Sequence, residues 1–123
     1  LLQRLKLKLK LKSNSSDCVN QFSLAGQLID IKPLRYTPAG VPALELVLEH
    51  ESSVMEAGHS RQIVLTMQVV ALGNNALGLA DTPLGARLQL QGFIAPARKG
   101  STRLVLHVQQ YQRHFPGQGS VTV

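Results

Sequence analysis

Between Phe22 and Ile31 the apolar residues change sides. Phe22, Leu24, Gly26 and Leu28 share one parity, whereas Ile29 and Ile31 take the other. Successive side chains of an extended chain point to opposite faces, so a strand that switches parity cannot keep one flat apolar face. A bulge or sharp bend just after Gly26 resolves the conflict, and it lets one strand serve two sheets or close a barrel. This first strand is expected to run from Val19 to about Ile31.

Four more period-2 runs follow it. Lys32–Gly40 contains Pro33, Pro38 and Gly40, which exclude a helix and signal a tight turn. The second strand spans about Val41 to Glu49, with Leu44, Leu46 and Leu48 inward. His50–Ser60 is polar and acid-rich and is expected to be an exposed loop. The third strand, Arg61 to about Leu72, places Ile63, Leu65, Met67 and Val69 on one face and Val64, Thr66, Gln68 and Val70 on the other. Gly73–Pro83 has room for one short helical turn at most, since its glycines weaken anything longer. The fourth strand, about Ala86 to Pro96, turns Leu88, Leu90, Gly92 and Ile94 inward. The fifth, Thr102 to Tyr111, turns Leu104, Leu106 and Val108 inward, and the pattern is lost from Gln112. Phe22, on the core parity, is expected to pack inside. Five strands without a long helix make an all-β chain. Closing five strands into a small Greek-key barrel leaves the fewest free edges, and the oligonucleotide/oligosaccharide-binding (OB) barrel fits this layout best.

The 123 residues, 44% hydrophobic, suffice for one domain with a core. No apolar run is long enough to span a membrane. Residues 1–16 alternate Leu5, Leu7, Leu9 and Leu11 with Lys6, Lys8, Lys10 and Lys12; extended, they would form a strand with one apolar face that needs a partner, such as a neighbouring chain's sheet edge. The alternative is a segment introduced by expression cloning. They lack the apolar core of a secretory signal. The expected organisation is an extension over 1–16, a barrel domain over 17–112 and a flexible tail over 113–123. Cys18 is the single cysteine, which fits a reducing, cytoplasmic setting.

The formal charge of +6 comes mostly from residues 1–16, which hold five cations and no acid. The rest of the chain has eight cations against seven acids, so a polyanion site there requires clustering. The best cluster is the turn between strands four and five, with Arg98, Lys99 and Arg103 around Gly100 and Ser101; it is either a solvated tip or a clamp for a polyanion. Arg35 and Arg61 would join it in one stripe if that hairpin folds over the barrel face. Single-strand binders add rings on which bases stack. Phe93 lies on the Gln89/Gln91 face, where it either stacks on bases or packs against a loop or a second copy. Tyr36, beside Arg35, reads as a surface contact, and Tyr111 as structural. With few aromatics, phosphate contacts would dominate and binding would be sequence-tolerant and salt-sensitive. His50, His59, His107 and His114 lack companions at zinc-ligand spacing, and no nucleotide-binding or nucleophile motif is present. No cofactor, metal or catalytic set is expected. Glu49, Glu51 and Glu56 lie apart from the basic turn, against a metal-dependent nuclease.

Ordered motifs add a resemblance. Phe22-x-Leu24-x-Gly26, Pro33-Leu34-Arg35, Pro38-Ala39-Gly40-Val41-Pro42 and Leu48-Glu49-His50 resemble the bacterial family of primosomal replication proteins N (PriB). So do Glu56-Ala57-Gly58 with Arg61-Gln62, Gln91-Gly92-Phe93-Ile94 and Leu104-x-Leu106-His107, together covering residues 20–111. The resemblance implies a homodimeric, non-enzymatic OB barrel of the single-stranded DNA-binding type. It implies a role in restarting stalled forks, with single-stranded DNA, the helicase PriA and the primosome protein DnaT as partners. The family's DNA-contacting loop cations correspond to Arg98, Lys99 and Arg103, and the basic position after strand one to Arg35. Three positions depart: Val64 and His59 stand where some members have an aromatic ring, and Tyr36 where some have lysine. A helicase-recruiting adaptor with little DNA affinity and a general single-stranded DNA or RNA module are the alternatives.

Overall fold

The computed structural model describes residues 18–114. Its strands are β1 (Phe22–Ile31), β2 (Arg35–Tyr36), β3 (Pro42–Glu56), β4 (His59–Leu72), β5 (Arg87–Pro96) and β6 (Leu104–His114), with one short helix, α1 (Asn74–Leu79), between β4 and β5. Residues 1–17 and those after 114 lie outside the described part, and with them the strand-like reading of the Leu/Lys repeat.

The parity switch in β1 has the consequence expected of it. From Phe22 to Gln27 the strand pairs antiparallel with β5, and from Gln27 to Ile31 with β3. The register slips between Leu28 and Asp30, leaving Ile29 as the extra residue. At the crossover a Cβ on Gly26 would lie 2.6 Å from the Glu49 carbonyl oxygen, so the two backbones can approach there only because residue 26 has no side chain. The sheet order β1-β5-β6-β4-β3-β2, with β1 also paired to β3, closes a five-stranded barrel to which β2 adds a two-residue edge. Closure between β4 and β6 is a short parallel contact, Val69↔Leu106 and Val70↔His107.

Leu28, Leu44, Leu46, Leu48, Val69, Leu88, Leu90, Leu106 and Val108 fill the interior, and Ala76 and Leu79 of α1 plug one end. Phe22 is a correction: it is 51% exposed. It has the core parity, but it lies before Gln27, where β3 has not yet joined and no second layer covers it. Leu104 is likewise 55% exposed at the hairpin base, while Val105, of the opposite parity, is 5% exposed.

Two segments expected to be irregular are strand. His50–Ser60 is the outer half of a hairpin whose register runs unbroken from Ala43↔Leu72 to Glu56↔His59. Both turn residues have positive φ, 52° at Ala57 and 81° at Gly58, the requirement of a type I′ hairpin turn. The segment projects beyond the barrel, so neither face is buried and the apolar alternation disappears while backbone pairing continues. At the other end β6 runs on through Arg113 and His114, residues expected in the tail. Arg113 Nη1 donates to the Gly78 carbonyl (3.0 Å), Asp81 Oδ1 (2.9 Å) and Thr82 Oγ1 (3.2 Å), which ties the strand end to α1 and the segment after it.

Candidate nucleic-acid interface

The β3–β4 ribbon has one face in the core and one turned out. Cross-strand pairs Glu45↔Val70, Val47↔Gln68 and Glu49↔Thr66 share the outer face. Part of that face is the floor of a groove of about 310 Å³. One wall is the end of β1 and the turn into β2, carrying Asp30, Lys32 and Arg35; the other is the turn between β5 and β6, carrying Ala97, Arg98 and Arg103, with Val105 beneath.

Both walls are held by backbone hydrogen bonds. On the first, Lys32 N–H donates to the Glu45 carbonyl (3.0 Å), and Arg35 pairs with Ala43. On the second, Ala97 N–H donates to the Arg103 carbonyl (2.8 Å), Ser101 N–H to the Arg98 carbonyl (2.9 Å) and Arg103 N–H to Ser101 Oγ (3.0 Å). Their cations differ. Glu45, on the floor, accepts from Arg35 Nη2 (3.2 Å) and Nε (3.4 Å) and lies 3.8 Å from Lys32 Nζ. The side chains of Arg98, Lys99 and Arg103 make no hydrogen bond or ion pair among the described residues, and all three are exposed.

The groove therefore unites Arg35, Arg98 and Arg103 of the expected site. Lys99 is on the same turn but does not line it, and neither does Tyr36, exposed beside Arg35. Arg61 is elsewhere. It pairs across from Val54 on the face continuous with the core, roughly 20 Å along the ribbon from Gln68. There it is ion-paired with Glu56 at 2.6 Å. The single five-cation stripe is not formed, because Arg61 has the inward parity of Ile63 and Leu65. Phe93 also lies outside the groove: its ring is stacked on His107, with centroids 4.9 Å apart and planes 6° from parallel. It lines a cleft with Cys18, Val19, Asn20, Gln21 and Gln109.

Sequence reasoning missed Lys32 and Glu45. Lys32 is brought in by its backbone bond across to β3, and Glu45 was legible only as an outward residue of its strand. Among the described residues no aromatic lines the groove, and Val64, 59% exposed, is no stacking platform. Among the described residues no three His, Cys, Asp or Glu side chains gather as a metal site, and no helix is long and apolar enough to cross a membrane.

Comparison with known proteins agrees with this geometry. Residues 20–110 match the model of a family described as another single-strand binding protein family. The replication restart protein PriB of Bordetella pertussis is 55% identical over 95 residues, 77% of this chain and 89% of that protein. PriB of Nitrosomonas europaea is 36% identical over 90 residues, 73% of this chain and 83% of that one. In structure, PriB of Ralstonia solanacearum superposes with a TM-score of 0.72 at 31% identity, over 79% of this chain and 99% of that one. The single-stranded DNA-binding protein of Thermus aquaticus shares the fold, with a TM-score of 0.66 at 22% identity, over 80% of this chain and 52% of that one. A bent first strand, a closed five-stranded barrel and a cationic groove between two turns are thus joined to an ordered sequence match, and the chain belongs to the PriB replication restart proteins of the single-strand binding protein family.

Proposed function

We propose that the chain binds single-stranded DNA in the groove between the β1–β2 and β5–β6 turns, as a non-enzymatic accessory protein of replication restart in the cytoplasm. The observation that carries this reading is the pair Arg98 and Arg103, unpaired among the described residues on one wall of the outer β3–β4 face. That face and its flanking loops are where OB barrels take oligonucleotides. With no ring in the groove among the described residues, affinity would rest on phosphates and fall steeply with salt. The helicase PriA and DnaT are the proposed protein partners, from the likeness to PriB proteins. A homodimer is proposed through β1, which over Phe22–Gly26 pairs, among the described residues, with β5 alone, its other edge met by His50 Nδ1–H donating to the Ala25 carbonyl at 2.6 Å.

Fluorescence anisotropy with a labelled oligothymidylate across a salt series tests the DNA reading. R98A/R103A is expected to weaken binding and to flatten the slope of log K against log salt by about 1.4, about 0.7 for each phosphate on a single strand that the variant no longer neutralises. An unchanged slope overturns it. The absence of groove aromatics among the described residues favours a second reading, an adaptor that recruits a helicase with little DNA contact. PriA capture by R98A/R103A at wild-type level, from a protein with no measurable DNA affinity, is the outcome that would establish it.

A further inference from the structure

We propose that Glu45 is an affinity-setting residue, an internal competitor that occupies Lys32 and Arg35 until a phosphate displaces it; this rests on the DNA-groove reading above. Glu45 has the outward parity of Val47 and Glu49, so it stands on the groove floor. Its two carboxylate oxygens divide between the cations of one wall, Oε2 with Arg35 and Oε1 with Lys32. Asp30 lines the same side, so the cations of this wall are balanced by acids, whereas no acid among the described residues lines the wall facing it across the groove.

The consequence follows from charge. A phosphate approaching Arg98 and Arg103 exchanges only water and counterions. To engage Arg35 it must break an existing carboxylate contact, and the freed carboxylate then recruits a cation from solution. That exchange lowers affinity and removes part of the counterion release on which salt dependence is built. The same carboxylate holds the Arg35 side chain over the groove, so the wall is aimed as well as restrained. The geometry divides the groove into a capturing wall and a restrained wall.

Glu45→Gln keeps the shape and removes the charge. With a fluorescein-labelled oligothymidylate, E45Q is expected to bind roughly two- to fivefold tighter than wild type at low salt, with a salt slope steeper by about 0.7. In the K32A/R35A background the same substitution is expected to change affinity less than about twofold, since the carboxylate no longer has cations to occupy. No tightening by E45Q overturns the proposal, as does equal tightening in both backgrounds, which would mean plain repulsion of the strand. E45A, with thermal melting of every variant, guards against a folding defect. If R98A/R103A does not weaken binding, the groove reading falls and this proposal with it. If R98A/R103A weakens binding but E45Q does not tighten it, only the role of Glu45 falls.

Discussion

The two turns that wall the groove carry similar charges in opposite circumstances. The β1–β2 turn is stitched to the floor: Lys32 and Arg35 both meet Glu45, and the turn's backbone bonds to β3. The β5–β6 turn is closed on itself by the bonds of Ser101 with Arg98 and Arg103 and of Ala97 with Arg103, and it presents the Arg98, Lys99 and Arg103 side chains without partners among the described residues. An exposed ion pair contributes about 0–1 kcal/mol to stability, so the Glu45 contacts matter less for folding than for what the cations are free to bind. Counting basic residues therefore overstates a site; their pairing state decides which of them a phosphate meets unopposed.

Removing the free wall is the strongest way to break this contrast. R98A/R103A is expected to lower oligothymidylate affinity by about one to two orders of magnitude at low salt, measured by anisotropy. K32A/R35A is expected to cost clearly less, about two- to fivefold, because in the unsubstituted protein a phosphate gains these cations only by displacing Glu45. Equal reductions in the two double variants would erase the distinction between the walls. Arg61→Ala is expected to change affinity less than about twofold, since Arg61 is on the other face of the ribbon and paired with Glu56. A reduction comparable to that of R98A/R103A would extend the interface along the hairpin. The smallest effect lies outside the groove. Ala57 has φ 52°, a conformation that strains a residue with a Cβ. Ala57→Gly is expected to raise stability by about 0.5–1 kcal/mol in urea unfolding, with DNA affinity unchanged. A change in affinity would tie the hairpin tip to binding.

The barrel was legible because its signals are local. Parity in β1 gave the bend, and Gly26 marked where two backbones meet. Where strands leave the core, the same signal fails. His50–Ser60 reads as a loop because an exposed ribbon needs no apolar face, and Arg113 reads as tail although it bonds into the α1 segment. Phe22 and Leu104 have inward parity but lie where nothing covers them. Arg61 is the reverse lesson: its parity already separated it from the outward residues of its strand, and grouping it by charge alone joined what strand geometry keeps apart.

The sequence by itself determined an all-β barrel with one bent strand, and it determined that the body's cations are few and include a basic turn between the last two strands. These are consequences of side-chain alternation and backbone stereochemistry, which act between near neighbours. Only the tertiary structure decided which cations share a groove and which are already paired. Glu45 and Lys32 are separated along the chain, and their contact exists only because the β1–β2 turn folds back onto β3. Electrostatic pairing depends on distance in space, and residues far apart in a chain acquire that distance only when the barrel closes.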